Sequence, residues 1–359
     1  MTIATHPAAA PNITLRDDDH ERIVIRQDHT TGLRMIVAVH STVLGPALGG
    51  MRLRRYPGGL REALEDVMAL ARTMTLKASA AGLDLGGGKA VMIDDGRRDL
   101  REDRLEAAAG VIDGLGGAYI TAEDIGTSTE DMDEIARFTR FAVGRSAERG
   151  GGGDPSPVTA ETVFRAVQRG LAHACGSDEL DGRRVGVVGL GKVGGALAGR
   201  LADAGARVLA CDLDPECGER FLAEHRGELA PSAEAVMATE LDVLAPCAAG
   251  GLIDDALARS VDCRVVAGAA NNPLTGRGAS RALHERGILY VPDFLANCGG
   301  LIHVSREWYG ESGPGEELLI ARAMERLDLA IETSEIEGST PVEVAERQAL
   351  ERVEAARPR

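Results

Sequence analysis

Long apolar segments and positive charge are both scarce in this 359-residue sequence. No stretch reaches the roughly 18 uninterrupted apolar residues of a membrane-spanning helix, and residues 1–19 have neither the basic region nor the apolar core of a secretory signal. The formal net charge of −16 disfavours binding to nucleic acid or to an anionic membrane. These features predict a cytoplasmic protein whose partners are small molecules or other proteins, with no nucleic acid and no membrane.

Signatures of metal and nucleophile chemistry are missing from the sequence as well. The cysteines form no CxxC pair and have no histidine at zinc-site spacing, and neither HExxH nor a GxSxG nucleophile elbow occurs. We therefore expect no metal ion. Because free cysteine is among the most buried residue types, the six cysteines are interpreted as reduced packing residues: Cys175, Cys211, Cys217, Cys247, Cys263 and Cys298.

A glycine run that ends in a lysine is the first feature that suggests ligand chemistry. Residues 82–92 read GLDLGGGKAVM, with Lys89 after the glycines and Lys77 twelve residues upstream. The run is not a Walker A loop, because that motif needs glycine six residues before the lysine and Ser or Thr after it, and this chain has Leu83 and Ala90 there. The two lysines must therefore serve another purpose.

The chain divides at residues 145–160, RSAERGGGGDPSPVTA, where four glycines and two prolines are typical of a linker. At 359 residues the chain is long enough for two domains, and its 44% of hydrophobic residues allow each domain to bury a core. In the first half, alternating apolar residues around TTG predict a hairpin over residues 22–40. Spacings of three and four predict a helix over 60–74, and short strands are predicted at 90–93 and 118–120, which indicates an α/β domain.

The second half contains a dinucleotide-binding pattern in residues 183–212, RRVGVVGLGKVGGALAGRLADAGARVLACD. Strand, GxGxxG, helix and strand follow in order, and Asp212 stands 23 residues after the first glycine. Such glycines let a pyrophosphate approach the helix N-terminus, and the acid accepts hydrogen bonds from ribose hydroxyls, which favours NAD over NADP. The alternative is a turn that uses glycine only for packing. The predicted cofactor contacts are Gly189, Leu190, Gly191, Lys192, Val193, Gly194 and Asp212.

Three later apolar runs, residues 241–250, 263–273 and 288–300, end in small or polar residues. Ligands of open parallel sheets lie beyond the carboxyl ends of the strands, so the side chains there are expected to face one crevice. Asn272 and Asn297 are favoured as ligand contacts over Cys247, which is typical of a small buried residue. The residues placed at this crevice are Cys247, Ala248, Asn271, Asn272, Asp293 and Asn297.

Asp124 lies in YITAEDIGTSTEDMDEIARF, residues 119–138, after a short strand and before a helix capped near Ser128 or Thr129. By itself this acid could simply interact with the helix dipole. Together with Lys77 and Lys89 it makes a set of amine and carboxylate groups suited to proton transfer.

These segments together resemble one family. LGPALGGMR, MTLKASAAGLDLGGGKAV, TAEDIGT, GDPSPVTA, GLGKVGG, APCAAGG, GAANNP and PDFLANCGGLIHV are similar to the successive signature segments of the glutamate, leucine, phenylalanine and valine dehydrogenases. The resemblance is nearest to the bacterial leucine, valine and phenylalanine enzymes and spans residues 24–350. It implies a Rossmann NAD-binding domain and an α/β catalytic domain separated by a cleft. It also implies reversible oxidative deamination of an L-amino acid to its 2-oxo acid, ammonia and NADH.

In that family pattern Lys77 binds the substrate carboxylate, Lys89 is catalytic, and Asp124 transfers protons at the amino or imine nitrogen. The chemistry agrees, because one lysine must stay charged while the other must lose its proton to act as a base on water. Burial and a neighbouring ammonium are expected to lower the pKa of Lys89. The glycines before it are interpreted as space for a small substrate.

The resemblance assigns further contacts. Gly49 and Gly50 would touch the substrate carboxylate, Thr159 the nicotinamide carboxamide, and Asn272 the substrate and the nicotinamide ribose. Cys298 stands where the family usually has alanine, which suggests a thiol sensitive to alkylation or oxidation. The side chain of the substrate would lie in an uncharged pocket of four residues that favours branched aliphatic substrates, with L-phenylalanine as the alternative: Leu48, Ala122, Leu301 and Val304.

The resemblance also predicts the domain limits. Residues 1–147 would form the substrate-binding and oligomerisation domain, residues 148–332 the NAD-binding domain, and helices from about 333–359 would return to the first domain in a homo-oligomer. Two other functions remain open at this point. A non-catalytic NAD-binding protein would have no reason to keep the two lysines and Asp124, and a decarboxylase of the malic-enzyme type would need acidic metal ligands that are not evident.

Overall fold

Two six-stranded sheets organise the chain in the computed structural model, which describes residues 13–17, 19–97, 101–310 and 312–357. Residues 1–12 and 18, which belong to the segment examined above for a secretory signal, lie outside the described residues. None of the described helices is long and apolar enough to cross a membrane. The two-domain α/β class expected from the sequence is confirmed.

The first sheet has the strand order β1-β2-β3-β5-β4-β6. The predicted hairpin is confirmed, since β2 and β3 pair antiparallel around the TTG turn. β4 lies between β5 and β6 and is parallel to both, so these three strands carry the residues of interest side by side. The strands are β1 (Ile13–Asp17), β2 (His20–Asp28), β3 (Leu33–Ser41), β4 (Ala47–Arg54), β5 (Gly86–Ile93) and β6 (Tyr119–Glu123).

Helix α1 (Gly59–Ala80) covers one face of this sheet and ends six residues beyond the predicted end. The predicted end at residue 74 was wrong because the buried stripe continues through small residues, among them Thr75 and Ala78, which allow close packing. Lys77 therefore lies in the last helical turn. Two further helices complete this half, α2 (Arg101–Asp113) and α3 (Thr129–Ile135), and α3 is capped by Ser128 as predicted.

The glycine run belongs to strand β5, which begins four residues before the predicted start. A Cβ added at Gly87 would lie 2.0 Å from the backbone nitrogen of Thr75, and one at Gly88 would lie 2.7 Å from the Tyr119 ring. The interpretation of these glycines as space for substrate is wrong, because protein atoms fill that space. The glycines instead let α1 and the Tyr119 ring pack directly against the strand that carries Lys89.

The second sheet is entirely parallel, with the order β12-β11-β10-β7-β8-β9. This is the Rossmann order, in which the chain reverses direction across the sheet between the first and fourth strands, here β7 and β10. The strands are β7 (Arg184–Val188), β8 (Arg207–Cys211), β9 (Glu228–Leu229), β10 (Val243–Pro246), β11 (Val265–Val266) and β12 (Leu289–Tyr290).

Ten helices surround or follow the second sheet within the described residues. They are α4 (Ser156–Cys175), α5 (Lys192–Asp203), α6 (Pro215–Glu224), α7 (Ala233–Met237), α8 (Asp255–Ala258), α9 (Arg277–Glu285), α10 (Asp293–Ala296), α11 (Gly299–Tyr309), α12 (Glu316–Glu337) and α13 (Pro341–Ala355). The predicted linker was too long, because α4 already begins at Ser156 with Pro157 in its first turn.

The last two helices have different neighbours. α12 packs against α4 and α11 of the second half, whereas α13 packs against α1. Ser79 donates a 2.7 Å hydrogen bond to the carbonyl of Ala349, which fastens α13 to the helix that carries Lys77. Thr340 and Glu343 form a capping box at the start of α13. The domain limits at residues 147 and 332 stay a prediction.

Substitution of Gly87 by alanine tests the packing of α1 on β5. The added methyl group meets the backbone of Thr75, so the helix or the strand must shift, and we expect a loss of about 1–3 kcal/mol in the free energy of unfolding. Urea unfolding measures it. Gly110→Ala on α2 is the matched control, because its added Cβ has no neighbour within 4 Å and should be neutral or stabilise by up to about 1 kcal/mol. Equal stability of the two variants would contradict this account.

Candidate active site

Lys89 and Asp124 form a buried ion pair. The ammonium of Lys89, on β5, lies 2.8 Å from Oδ2 of Asp124, which follows β6, and the two side chains are 9% and 18% exposed. The strand register explains the pair, since Met51 on β4 faces Ala90 on one side and Glu123 on the other. The sequence placed both residues in the site but could not show that they touch.

Arg52, which sequence reasoning missed, binds the same carboxylate. Its Nε donates a 3.0 Å hydrogen bond to Oδ2 of Asp124. On the other side of the guanidinium, Nη1 donates a 3.3 Å hydrogen bond to Oδ2 of Asp66. Tyr56 in turn donates to Asp66 at 2.7 Å. One feature of the sequence could have indicated Arg52: it stands two residues after the glycine pair, on a strand that is otherwise largely buried.

The charge state of Asp124 follows from these contacts. Burial alone would raise its pKa, but the positive charges of Lys89 and Arg52 outweigh burial and hold the pKa below its ordinary value. Asp124 is therefore a carboxylate at neutral pH and can accept a proton.

Gly49 and Gly50 lie on β4, directly beside this pair. A Cβ on Gly50 would lie 2.7 Å from the Cβ of Asp124, and a Cβ on Gly49 would lie 1.8 Å from the carbonyl oxygen of Gly88. Both glycines are thus required for the close approach of the neighbouring strands. Tyr119 donates a 2.6 Å hydrogen bond to the carbonyl of Gly49 and fixes the backbone there.

Lys77 reaches across from α1 to the second half of the chain. Its ammonium donates a 3.2 Å hydrogen bond to Oδ1 of Asn271, which also accepts from Asn297 at 3.0 Å. Burial lowers the pKa of Lys77 and the ammonium of Lys89 acts in the same direction, while Asp293 and Asp124 oppose it. Lys77, Lys89 and Asp124 therefore lie close enough to influence one another, near the contact of α1 with the second half of the chain.

Asn272 takes the only positive φ among the described non-glycine residues, at 49°. Its backbone nitrogen donates a 2.8 Å hydrogen bond to Oδ2 of Asp293, and Tyr290 donates to Oδ1 of Asp293 at 2.9 Å. Asp293 thus holds the residue 271–272 loop in the conformation that presents Asn271 to Lys77. Asp293 supports the site through this loop, a role that its position after a strand did not reveal.

The four residues of the predicted side-chain pocket are all buried. Leu48, Ala122, Leu301 and Val304 all belong to the same buried apolar cluster and are at most 7% exposed. Gly144 completes one wall, since a Cβ built there would lie 3.6 Å from Val304 and 3.9 Å from Ala122. No local pattern pointed to Gly144, because its neighbours Val304 and Ala122 are distant in sequence.

The glycines of GLGKVG have three separate roles. A Cβ at Gly189 would lie 2.7 Å from the nitrogen of Ala248, and one at Gly194 would lie 2.0 Å from the carbonyl oxygen of Gly189. No atom lies within 4 Å of the corresponding position at Gly191, the N-cap of α5, so a pyrophosphate has room there. Cys247 and Ala248 follow β10 and lie beside β7, where the chain reverses direction across the sheet, as predicted.

The other predicted cofactor residues around this loop differ in burial and in their hydrogen-bond or ion-pair partners. Leu190 is buried, and its backbone nitrogen donates a 2.5 Å hydrogen bond to Oδ2 of Asp212, while Oδ1 of Asp212 accepts from Asp214 at 2.8 Å. Val193 packs on the core. Lys192 is exposed and pairs with Asp154 at 3.3 Å.

Two polar groups lie near the end of the crevice where a nicotinamide ring would bind. Oδ1 of Asn297 is buried without a hydrogen-bond partner, whereas the amide nitrogen of Asn297 donates to the carbonyl of Ala269 at 3.1 Å. The hydroxyl of Thr159 donates to the carbonyl of Pro155 at 3.0 Å and adjoins Gly300. An unpaired buried acceptor and an open glycine at the helix N-terminus fit a dinucleotide with a carboxamide.

The thiol of Cys298 is not exposed to reagents in solution. Its side chain is fully buried, and burial raises the pKa of the thiol to about 12. A protonated thiol without solvent access is a poor nucleophile. Burial likewise raises the pKa of Cys247 to about 12, in agreement with a packing role. All six cysteines are free, and no group of three or more His, Cys, Asp or Glu in the described ranges is arranged to hold a metal ion.

Comparison with known proteins agrees with this site. Residues 20–141 match the Glu/Leu/Phe/Val dehydrogenase dimerisation domain, residues 219–356 match the Glutamate/Leucine/Phenylalanine/Valine dehydrogenase family, and residues 160–269 match the NAD binding domain of D-isomer specific 2-hydroxyacid dehydrogenases.

Individual proteins agree with these matches over nearly the whole chain. The chain is 40% identical to leucine dehydrogenase from Thermoactinomyces intermedius, over 94% of this chain and 92% of that protein. It is 41% identical to valine dehydrogenase from Streptomyces virginiae, over 94% and 95%. The crystal structure of L-tryptophan dehydrogenase from Nostoc punctiforme matches 94% of this chain and 97% of its own, with 30% identity and a TM-score of 0.81. The chain therefore belongs to the glutamate/leucine/phenylalanine/valine dehydrogenase family and is an NAD-dependent amino acid dehydrogenase.

Proposed function

We propose that this enzyme oxidatively deaminates branched aliphatic L-amino acids, L-leucine and L-valine in particular, to their 2-oxo acids with release of ammonia. The observation that carries the proposal is the buried Lys89–Asp124 pair, which lies beside a second lysine and close to an apolar pocket. A non-catalytic NAD-binding protein would gain nothing from burying these charges, which costs free energy.

Lys77 is the proposed anchor for the substrate carboxylate. Lys77 is half-buried, and within the described part of the chain its ammonium donates one hydrogen bond, to the neutral amide oxygen of Asn271. A bound carboxylate is a stronger partner than an amide, and its negative charge would favour the charged form of the lysine. The backbone at Gly49 and Gly50 is proposed to complete this part of the site.

Lys89 and Asp124 are the proposed proton-transfer groups. NAD, when bound, accepts a hydride from the substrate Cα, which leaves an iminium. Before the hydride leaves, Asp124 as a carboxylate would take a proton from the substrate ammonium, and Lys89 in its neutral form would then accept a proton from the water that attacks the iminium carbon. Asp124 would return its proton to the nitrogen of the resulting carbinolamine and take the hydroxyl proton, so that the C–N bond breaks, ammonia leaves and the C=O bond forms. Arg52 cannot lose its proton, so it keeps Asp124 paired throughout this cycle.

The cofactor is proposed to lie across the reversal point between β7 and β10. Gly191 and the first turn of α5 would receive the pyrophosphate, with Lys192 nearby, and Asp212 would bind the adenosine ribose, where its charge would repel the 2′-phosphate of NADP. Asn272, Asn297 and Thr159 are proposed to contact the nicotinamide half.

The pocket supports the aliphatic preference. Leu48, Ala122, Leu301 and Val304 are buried and present no charge, which suits an aliphatic side chain. The similarity to leucine and valine dehydrogenases points in the same direction. L-phenylalanine is the second candidate, because three segments resemble the phenylalanine branch of the family: residues 145–153, 268–273 and 294–300.

We further infer a cytoplasmic homo-oligomer. Six free cysteines are expected of a protein in a reducing compartment. The match of residues 20–141 to a dimerisation domain supports assembly through the first half of the chain.

The two lysines can be separated by substitution with arginine, which keeps the positive charge but cannot act as a base. Lys89→Arg should lower kcat by about 10²- to 10⁴-fold, as should Lys89→Ala. Lys77→Arg should keep most of kcat, whereas Lys77→Ala should raise KM for amino acid and oxo acid by about ten- to a hundredfold. Steady-state kinetics of NADH formation and consumption measure both.

Gly110→Ala on α2 is the control, since its added Cβ has no neighbour within 4 Å and the residue lies outside the proposed site. Binding of NADH should be unchanged in all variants at positions 77 and 89. If Lys89→Arg retained near-native kcat, Lys89 would not be the base.

A panel of amino acids tests the proposed substrate. NADH absorbance should show higher kcat/KM for L-leucine and L-valine than for L-phenylalanine, and a chelator should not change the rates. Ala122→Gly, alone or with Leu48→Ala, should move the ratio toward L-phenylalanine by roughly tenfold, because one methylene group in such a pocket changes selectivity by that order.

Ala136→Gly is a suitable control for the loss of a methyl group, since it caps α3 and does not belong to the pocket cluster. A wild-type enzyme that prefers L-phenylalanine over both aliphatic substrates would refute the assignment of the pocket. Oxidation of none of the three would refute the proposed function itself.

A further inference from the structure

Glu307, near the end of α11, holds the segment that leaves the first domain. Its Oε2 accepts hydrogen bonds from the backbone nitrogens of Gly144, at 2.8 Å, and of Arg145, at 3.3 Å. Its Oε1 pairs with the guanidinium of Arg145. The Glu307 side chain is only 6% exposed, so this is a buried carboxylate whose oxygens are satisfied largely by one short loop.

The bound segment forms one wall of the proposed substrate pocket. Gly144 has a φ of +73° and faces Val304 and Ala122. Just before it, Val143 donates a 2.9 Å hydrogen bond to the carbonyl of Thr121, the residue that precedes Ala122 on β6. A shift of Gly144 would therefore change the distance between β6 and α11.

Helix α11 carries the opposite side of the same pocket. Leu301 and Val304 lie on it, six and three residues before Glu307, respectively. The next residue, Trp308, packs near Phe141 with ring centroids 6.3 Å apart. One helix thus supplies pocket residues and also fixes the loop that faces them.

The linker is fastened to the same helix at a second point. His303 on α11 makes a 2.9 Å hydrogen bond to the carbonyl of Gly152, and its other ring nitrogen lies 2.8 Å from Glu316. Because the loop is held there as well, release of Gly144 and Arg145 should loosen the pocket wall without detaching the linker.

We propose that Glu307 is a positioning residue for substrate selectivity: by holding the backbone of Gly144 and Arg145 it sets the width of the pocket between β6 and α11. This inference rests on the proposed function, since it assumes that Ala122, Leu301 and Val304 face the substrate side chain. Glu307 itself touches neither substrate nor cofactor.

Kinetics of Glu307 variants test the proposal. Glu307→Ala should lower the ratio of kcat/KM for L-leucine to that for L-phenylalanine by about tenfold, mainly through KM for L-leucine, with the KM for NAD unchanged. Glu307→Gln, which retains an acceptor oxygen and nearly the same shape, should produce a smaller shift in the same direction and serves if the alanine variant does not fold. Arg145→Ala removes the guanidinium but leaves both backbone bonds, so its ratio should stay within about twofold of wild type.

If kcat/KM fell equally for all substrates in both Glu307 variants, the ratio of L-leucine to L-phenylalanine would be retained. That result would overturn the proposal, because Glu307 would then have only a general structural role. Hydrogen exchange of the Gly144 and Arg145 amides needs no substrate and should be faster in Glu307→Gln than in wild type. Unchanged exchange would show that Glu307 does not hold these amides. A wild-type protein that oxidises no amino acid would refute the proposed function and the selectivity role together, whatever the exchange result.

Discussion

The structure depends on keeping a lysine and an aspartate charged next to each other inside the protein. Lys89 and Asp124 are both largely buried, and neither charge would be tolerated there alone. Arg52 is a third member of this group, because its permanent positive charge stabilises the carboxylate of Asp124 even when Lys89 is neutral. The close strands at Gly49, Gly50 and the β5 glycines are what bring these side chains within contact distance.

The same constraint explains why the site lies where the two halves meet. Lys77 lies in the last turn of α1, whereas its hydrogen-bond partner, Asn271, belongs to the Rossmann half. The loop that carries Asn271 is held by Asp293, and the wall of the proposed pocket is held by Glu307 on α11. Residues of the NAD-binding half thus shape the part of the site that is proposed to receive the amino acid.

Much of the fold and several site residues could be predicted from sequence, because each has a local signature. The βαβ glycines, Asp212 and the two lysines all belong to short motifs, and only three lysines occur among 40 basic residues. The function of the glycines before Lys89 was misread, since their neighbours Thr75 and Tyr119 are distant in sequence. Arg52, Gly144 and Glu307 escaped notice for the same reason: their importance comes from contacts across strands and domains, which no local pattern records.

The claim that a charged Asp124 beside Lys89 performs the proton transfers is tested most directly by Asp124→Asn. The amide has nearly the same shape but cannot take a proton, so kcat with L-leucine should fall by about 10²- to 10⁴-fold while the Kd for NADH stays at the wild-type value. A variant with near-native kcat would show that the buried charge pair is structural and that the proton moves by another route.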